Sequence, residues 1–255
     1  MWEITPSESR ITVERYFVNM TNDVVLSNGE VRRGITIPQK LTEDLAEEIG
    51  MHIGDGSMNT YKGRFLYSLR GHLIDDEKYY ENHVKTLFKK LYGIEVHIRR
   101  WPDVIGFQIS SNAIGSFKHK IIGLPSGPKL NIKIPDSIIK RRKLFLACLR
   151  GIFDTDGCLS FEKKSREIPY YPRIILTTTS ENLNNQMVYL LREKMKFNLS
   201  TWCKKNLGTN RMPAYITCVR GKENLIKWFK LIGSSNPKNK FKYTYWKKHG
   251  YYRRP

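Results

Sequence analysis

The chain has 255 residues, with 44 lysines and arginines against 24 aspartates and glutamates, and its formal net charge is +20. Hydrophobic residues make up 40% of the chain and aromatic residues 12%, which is enough to build a packed core and excludes a disordered polybasic tail. A folded protein with this charge attracts polyanions, of which nucleic acids and anionic membrane surfaces are the common classes.

Several protein classes are disfavoured by what the sequence lacks. No stretch approaches the roughly 18 consecutive apolar residues of a membrane span, and the first ten residues do not have the order of a secretory signal. The four cysteines form no Cys-x-x-Cys pair and have no histidines at metal-ligand spacing, so neither a zinc site nor a disulfide framework is indicated. We therefore expect a cytoplasmic protein.

Charge is unevenly distributed along the chain. Residues 1–50 have a net charge of −4, whereas residues 201–255 have a net charge of +13 and contain interleaved aromatic residues. The aromatic residues indicate that the basic segment is folded and that its charges line a surface. The role of residues 1–37 is not assigned, and their mixed charge with an Asn28-Gly29 turn suggests a small β-rich extension.

Two halves of the chain follow the same plan. A helix that starts near Thr42 ends at Asp55-Gly56, and a second helix ends at Asp156-Gly157, 101 positions later. Each helix is followed by strand-like segments, a helix opening near Asp75 or Ser180, a strand pair and a short helix. The predicted strands after these helices include residues 64–70, 96–101, 107–111, 159–161, 173–179, 199–204 and 214–220. The pattern predicts an α+β fold made of two α-β-β-α-β-β-α repeats, residues 38–137 and 138–255, with a basic tail on the second.

The two repeat-opening helices combine small residues with a terminal acid. Small side chains one turn apart let two helices approach until their backbones touch, which would place Asp55 and Asp156 at the same end of the pair. The small residues are Gly50 and Gly54 in the first helix and Gly151 and Thr155 in the second. A divalent cation such as Mg²⁺ would relieve the repulsion between the two carboxylates. The alternative is that each Asp-Gly is only a C-terminal turn with a hydrated aspartate, but two matched copies in a basic chain favour the metal.

Residues 49–57 and 149–157 resemble the paired motifs of the LAGLIDADG homing endonucleases, in the single-chain form that carries both copies. Residues 122–129, 172–180, 232–238 and 245–250 resemble archaeal members of that family. The resemblance extends from about residue 38 to about residue 250, and the second motif is the stronger match.

The resemblance implies a pseudo-twofold saddle with the motif helices at its centre and two antiparallel sheets along the DNA major groove. Asp55 and Asp156 would bind Mg²⁺ or Mn²⁺ beneath the scissile phosphates, with backbone carbonyls near Gly54 and Thr155 assisting. The implied activity is site-specific cleavage of double-stranded DNA at a long, asymmetric site by a monomer, which would associate with the nucleoid.

This sequence departs from the family pattern in two places. The family often has a Lys or Gln near the end of the strand that precedes the second helix of each repeat. In the first repeat Arg70 or His72 is a candidate for that role. In the second no basic residue is obvious, so Lys163 or Lys164 from the neighbouring strand is the candidate. The first motif is also irregular, with Glu48 and His52 where apolar residues are usual, and we assign His52 no role.

Strand alternation predicts the side chains that face the DNA. In the first half the expected outward residues are Arg64, Ser68, Arg70, His97, Arg99, Gln108 and Ser110. In the second half they are Lys163, Arg166, Arg173, Thr177, Lys204 and Lys205. Most protein–DNA hydrogen bonds go to the backbone, so we expect more of these residues to contact phosphates than bases.

Two other functions are compatible with parts of this pattern. A nucleic-acid-binding protein on the same scaffold, such as an RNA intron maturase or a transcriptional regulator, would not need two crowded aspartates, but the missing lysine favours it. A membrane-surface protein is disfavoured because no long basic amphipathic helix is present. The initial Met and the absence of a His-Asn ending favour an intron-encoded or free-standing protein over an intein.

Overall fold

The computed structural model describes residues 17, 21–165, 167–205 and 212–253. Within these ranges the strands are β1 Gly56–Tyr61, β2 Arg64–His72, β3 Arg99–Trp101, β4 Val104–Ser110, β5 Gly157–Glu162, β6 Tyr171–Thr178, β7 Leu199–Lys204 and β8 Ala214–Arg220. They form two antiparallel four-stranded sheets with the same topology, β1-β2-β4-β3 and β5-β6-β8-β7. The predicted α+β fold of two repeats is confirmed.

Helices cover one face of each sheet and leave the other face open. Within the described ranges the helices are α1 Asn28–Arg32, α2 Glu43–Gly54, α3 Leu73–Lys78, α4 Lys85–Tyr92, α5 Asn112–Ser116, α6 Asp136–Ile139, α7 Arg142–Asp156, α8 Glu181–Tyr189, α9 Lys222–Leu231 and α10 Pro237–His249. Three π-helical segments, Tyr79–Val84, Phe117–Ile121 and Leu190–Lys194, continue α3, α5 and α8. None of the described helices is long and apolar enough to cross a membrane.

Some predicted boundaries differ from the observed ones. The ladder with β4 includes only Arg99–Trp101 of the predicted strand 96–101. The helix expected at Asp75 starts at Leu73, because the His72 side chain accepts a hydrogen bond from the Asp75 amide and caps that helix. In the second repeat Ser180 caps α8 as predicted.

The prediction of a β-rich N-terminal extension is wrong for the part of residues 1–37 that the structure describes. Asn28 and Gly29 open helix α1 rather than form a turn, because Ser27 and Glu30 make a reciprocal capping box at its start. Glu30 is buried and also accepts hydrogen bonds from the Ser111 hydroxyl at 2.5 Å and from the Ala113 amide at 2.9 Å. Its carboxylate therefore anchors the segment to the first repeat.

The two motif helices, α2 and α7, pack backbone against backbone at the centre of the molecule. A Cβ atom at Gly50 would lie 2.0 Å from the carbonyl oxygen of Cys148, and one at Gly151 would lie 2.1 Å from that of Glu47. The packing predicted from the small residues is confirmed.

A methyl group at this contact is expected to force the helices apart. Replacing Gly151 with alanine should lower the free energy of unfolding by about 3 kcal/mol, because the facing atoms are backbone and cannot rotate away. Gly29→Ala is the matched control, since a Cβ there would meet nothing within 4 Å. Chemical denaturation of both variants checks the prediction, and equal stabilities would contradict it.

An ion pair joins the two motif helices beside the glycines. The Glu47 carboxylate of α2 accepts hydrogen bonds from Arg150 of α7 at 2.8 Å and pairs with His83 at 2.8 Å. Burial alone would raise the pKa of Glu47, but His83 and Arg150 hold that pKa at about 2. The charged form of Glu47 therefore stabilises the pairing of the two repeats.

Acid is expected to remove this contribution. The pKa of Glu47 lies below its ordinary value of 4.5, so its stabilising effect is complete above pH 4.5 and is lost as the pH falls toward 2. Glu47→Gln should lose about 3 kcal/mol at pH 6 and much less at pH 2. Denaturation at the two pH values, with Glu43→Gln on the exposed first turn of α2 as control, measures the difference. A pH-independent loss would contradict this account.

The core of the first repeat contains a second buried ion pair. Glu48 and Lys118 are both fully buried, and the Lys118 ammonium lies 2.5 and 2.6 Å from the two carboxylate oxygens. The hydroxyls of Tyr67 and Tyr92 donate to the same carboxylate at 3.1 and 3.0 Å. Glu48 therefore occupies a usually apolar motif position because it has three partners inside the core.

Candidate active site

The motif helices end side by side, each with an aspartate. Asp55 is the C-cap of α2, and Asp156 is the last residue of α7. Gly54 lies directly against Thr155, since a Cβ atom at Gly54 would be 2.0 Å from the threonine hydroxyl oxygen. The structure therefore brings Asp55 and Asp156 to the same end of the helix pair.

The two carboxylates repel each other in a partly dehydrated place. Burial and the charge of Asp156 raise the pKa of Asp55 to about 8, with Asp76 adding to the rise and Lys129 and Lys238 opposing it. Burial of its carboxyl group also raises the pKa of Asp156, although part of this residue is exposed to solvent. Such crowding favours a bound cation.

A lysine that the sequence analysis did not select lies beside both aspartates. The Lys129 ammonium donates to the carbonyl oxygens of His52 at 3.2 Å and Ile53 at 2.9 Å, and also to that of Gly54. It thus caps the C-terminal end of α2, where the helix dipole is negative. Burial lowers the pKa of Lys129, and the charges of Asp156 and Asp55 counteract that effect.

A second lysine reaches the same site from the other repeat. The Lys238 ammonium donates to Asp76 at 2.8 Å, and the Asn236 side chain donates to the same carboxylate oxygen at 2.8 Å. Asn236 also caps α10, whose N-terminus carries Lys238. Asp76 belongs to the first repeat, so this contact fixes the start of α10 against the other half of the molecule.

The two lysines have a common sequence signal. Each follows a proline, and each Pro-Lys pair comes shortly after an Ile-Gly that closes a repeat, at residues 122–129 and 232–238. The segments read Ser-Gly-Pro-Lys and Ser-Asn-Pro-Lys. Comparing the ends of the two repeats would have identified Lys129 and Lys238 as equivalent residues.

The second motif contains another acid, Asp154, with a structural role. This fully enclosed carboxylate accepts hydrogen bonds from the Ser234 hydroxyl, the Ser235 amide at 2.5 Å and the Asn239 side chain at 3.2 Å. Burial raises the pKa of Asp154 to about 6 against the lowering effect of these bonds. Asp154 therefore organises the turn before α10 and is unavailable to a metal.

The donor set suits a hard cation that also takes ligands from water and phosphate. No cluster of three or more His, Cys, Asp or Glu that could hold a metal occurs among the described residues. Two carboxylates fit Mg²⁺ or Mn²⁺, which is commonly bound by one or two carboxylates, waters and substrate phosphates. Of the predicted carbonyl ligands, that of Gly54 accepts a hydrogen bond from Lys129. The Thr155 hydroxyl donates a hydrogen bond to the Gly151 carbonyl within its own helix, at 2.8 Å.

The fold and the second motif both match known proteins. A sequence profile of the LAGLIDADG-like domain matches residues 144–233. The crystal structure of I-DmoI in complex with DNA and Mn superposes with a TM-score of 0.52 at 13% identity, covering 76% of this chain and 98% of that one. The chain therefore has the fold of these proteins, and its second repeat matches the LAGLIDADG-like domain. The homing endonuclease I-WcaI bound to its DNA recognition sequence has a TM-score of 0.52 at 15% identity, with 94% of each chain covered.

One curated protein that this chain resembles comes from an archaeon. The uncharacterized protein MJ0314 of Methanocaldococcus jannaschii is 23% identical over 176 residues, which cover 65% of this chain. The match spans 59% of the length of that relative.

The LAGLIDADG fold places most of the predicted DNA-facing residues of the first repeat on one open face. The register sets Ser68 opposite Gln108, and Arg70 opposite Gly106, which in turn faces Arg99. The face also carries Arg64 and Ser110. Ser68 is 7% exposed despite facing outward, whereas His97 is exposed just before β3.

The predicted residues of the second repeat are more dispersed. Thr177 and Arg173 lie on the open face of the second sheet, and Lys204 ends β7. Lys163 and Lys205 are exposed just beyond strand ends, and Arg166 lies outside the described residues.

The residues predicted for the family's lysine position have contacts of their own in this structure. His72 caps α3 and is exposed, and the Arg70 guanidinium lies 5.2 Å from the centre of the Trp101 ring. The Lys164 ammonium lies 3.3 Å from the centre of the Tyr171 ring. The basic groups that interact with Asp55 are instead those of Lys129 and Lys238.

Proposed function

We propose that this protein is a site-specific endonuclease that hydrolyses both strands of double-stranded DNA with a divalent metal held by Asp55 and Asp156. The observation that carries the proposal is the position of these two aspartates at the same end of the closely packed motif helices. Retaining both carboxylates raises the pKa of Asp55 and costs stability, so a function that uses them explains why both are present.

The residues around the aspartates have complementary roles in this reaction. Asp55 and Asp156 would hold Mg²⁺ or Mn²⁺, which supplies an activated water and neutralises charge that develops on the phosphate. Lys129 and Lys238 place two ammonium groups beside the carboxylates, where they stabilise negative charge on the phosphate oxygens. The contact of Lys238 with Asp76 keeps its ammonium at the site before DNA arrives.

DNA binding in this proposal uses the open faces of both sheets. A β-ribbon fits the major groove, and the net charge of +20 supplies affinity that depends on salt but little on sequence. The two sheets differ in their outward side chains, so one chain would bind a long, asymmetric site as a monomer. The DNA complexes of the related folds of I-DmoI and I-WcaI support this mode of binding.

Cleavage of a random library tests the proposal. Purified protein is incubated with a randomised plasmid library and Mg²⁺ or Mn²⁺, and the cut ends are sequenced. The expected result is one family of related sites, with no cutting in EDTA. Binding of a specific duplex without cutting under any metal would support a non-cleaving DNA-binding protein instead. Preferential binding of structured RNA would support a maturase.

A further inference from the structure

The two sheets can be compared position by position. In each sheet the glycine that follows the motif aspartate pairs with a leucine of the next strand, Gly56 with Leu69 and Gly157 with Leu176. Aligning Leu69 with Leu176 assigns each position of one sheet to an equivalent position of the other, strand by strand. The equivalent outward positions at the centre of each sheet are Ser68 and Ile175, Gln108 and Cys218, Arg70 and Thr177, Gly106 and Ile216, and Arg99 and Trp202. Toward the margins the difference is reversed, since Leu66 corresponds to Arg173 and Trp101 to Lys204.

The centre of the open face changes from polar to apolar between the repeats. In the second sheet Ile175 faces Cys218, and Ile216 faces Trp202, so four apolar side chains lie together across three strands. We call these four residues the apolar stripe. Ile175 and Ile216 are half-buried and Trp202 is 42% exposed, so these three side chains of the stripe are accessible from outside, whereas Cys218 is buried.

Basic residues of the second sheet lie at the margins of this stripe. Arg173 pairs with Glu162 at 2.7 Å, and Arg220 donates to the Ser200 hydroxyl at 2.9 Å while its guanidinium lies 5.9 Å from the Trp202 ring centre. Lys204 ends the same strand as Trp202. The surface therefore has an apolar centre and a positive edge, which is complementary to bases flanked by phosphates.

The major groove presents only one kind of apolar group on base edges, the C5 methyl of thymine. A guanine or cytosine opposite Ile175 or Ile216 would leave its donors and acceptors without partners as water is excluded. A thymine methyl at the same place would gain contact with the isoleucine side chain. The outward Ser68, Gln108 and Arg99 of the first sheet, by contrast, offer hydrogen bonds.

We propose that the second sheet recognises its half of the DNA site through thymine methyl groups packed on the apolar stripe, whereas the first sheet recognises its half through hydrogen bonds. This inference rests on the proposed function and extends it to the kind of base pair that each repeat selects. The target would be rich in A·T pairs on one side of the cleavage positions.

Replacing thymine with uracil removes only the methyl group and tests the proposal. Duplexes of the selected site are made with every thymine of one half, then of the other half, replaced by deoxyuridine, and their dissociation constants are measured. Each lost methyl contact should weaken binding about fourfold, so three contacts should weaken it about 60-fold in one half only. The other half should change less than twofold.

A protein variant links the sensitive half to the stripe. Ile216→Asn should reduce the difference between thymine and uracil in that half at least about fourfold, whereas Ile226→Asn, exposed on α9, should leave it unchanged. Specific binding that is indifferent to uracil in both halves would overturn the inference and leave the endonuclease proposal intact. Concentration-dependent self-association that occludes the stripe would also overturn it. The absence of binding to any duplex would refute the proposed function itself.

Discussion

The Asp156→Asn and Asp55→Asn variants are each expected to linearise a target plasmid at least about a thousandfold more slowly than the wild type. Loss of a carboxylate weakens metal binding next to the phosphate, and the metal is worth several kcal/mol of transition-state stabilisation. Supercoiled, nicked and linear DNA are separated and quantified over time. Asp136→Asn, an exposed aspartate outside the site, serves as control and should cleave normally.

The same variants should keep their affinity for DNA and their fold. Removing a negative charge that faces phosphate strengthens binding slightly or leaves it unchanged. The raised pKa of Asp55, about 8, means that ionising this group costs stability as the pH rises from about 4 to 8. In metal-free buffer Asp55→Asn should therefore be more stable than the wild type at pH 8. A less stable variant, or undiminished cleavage, would contradict the assigned role.

The Lys118→Met variant is expected to lose about 4 kcal/mol of unfolding free energy, because it leaves the Glu48 carboxylate buried without a counter-charge. Burial lowers the pKa of Lys118, and its contact with Glu48 counteracts that effect. The Lys118 ammonium also lies 4.5 Å from the centre of the Tyr67 ring, so the substitution removes a second contact.

Neutralising both partners separates charge from packing. The double variant Glu48→Gln with Lys118→Met keeps much of the core volume and removes both charges, so it should regain most of the lost stability. Denaturant unfolding of the wild type, the single variants and the double variant gives the coupling energy. A Lys118→Met variant within 1 kcal/mol of the wild type would show that this ion pair does not control the stability of the first repeat.

The sequence permitted the fold and the position of the aspartates to be predicted because those features depend on short-range pattern and repetition. Gly50 and Gly151 predicted the close contact between the motif helices. Strand alternation predicted which side chains of β2 and β4 lie on the open face of the first sheet, and the pairing of these strands agrees with it. Each of these signals lies within a few residues of the sequence, and the same signal in the second repeat supports the prediction made for the first.

Features that depend on distant contacts were not predictable in the same way. Lys129 reaches α2 because the segment before it runs along β1, where the Gly127 amide donates to the Met58 carbonyl at 2.7 Å. The left-handed backbone at Gly127 allows that path. Glu48 is unusual in the motif, but its partner Lys118 is 70 positions away and has no local sequence signal.

The most direct test of the central claim is the conversion of supercoiled plasmid carrying the selected site into linear DNA by the wild-type protein in Mg²⁺. The expected result is a linear product with one defined cut position on each strand, which disappears in EDTA and with the Asp55→Asn and Asp156→Asn variants. Intact plasmid at saturating protein and metal, or cleavage that persists in both variants, would contradict it.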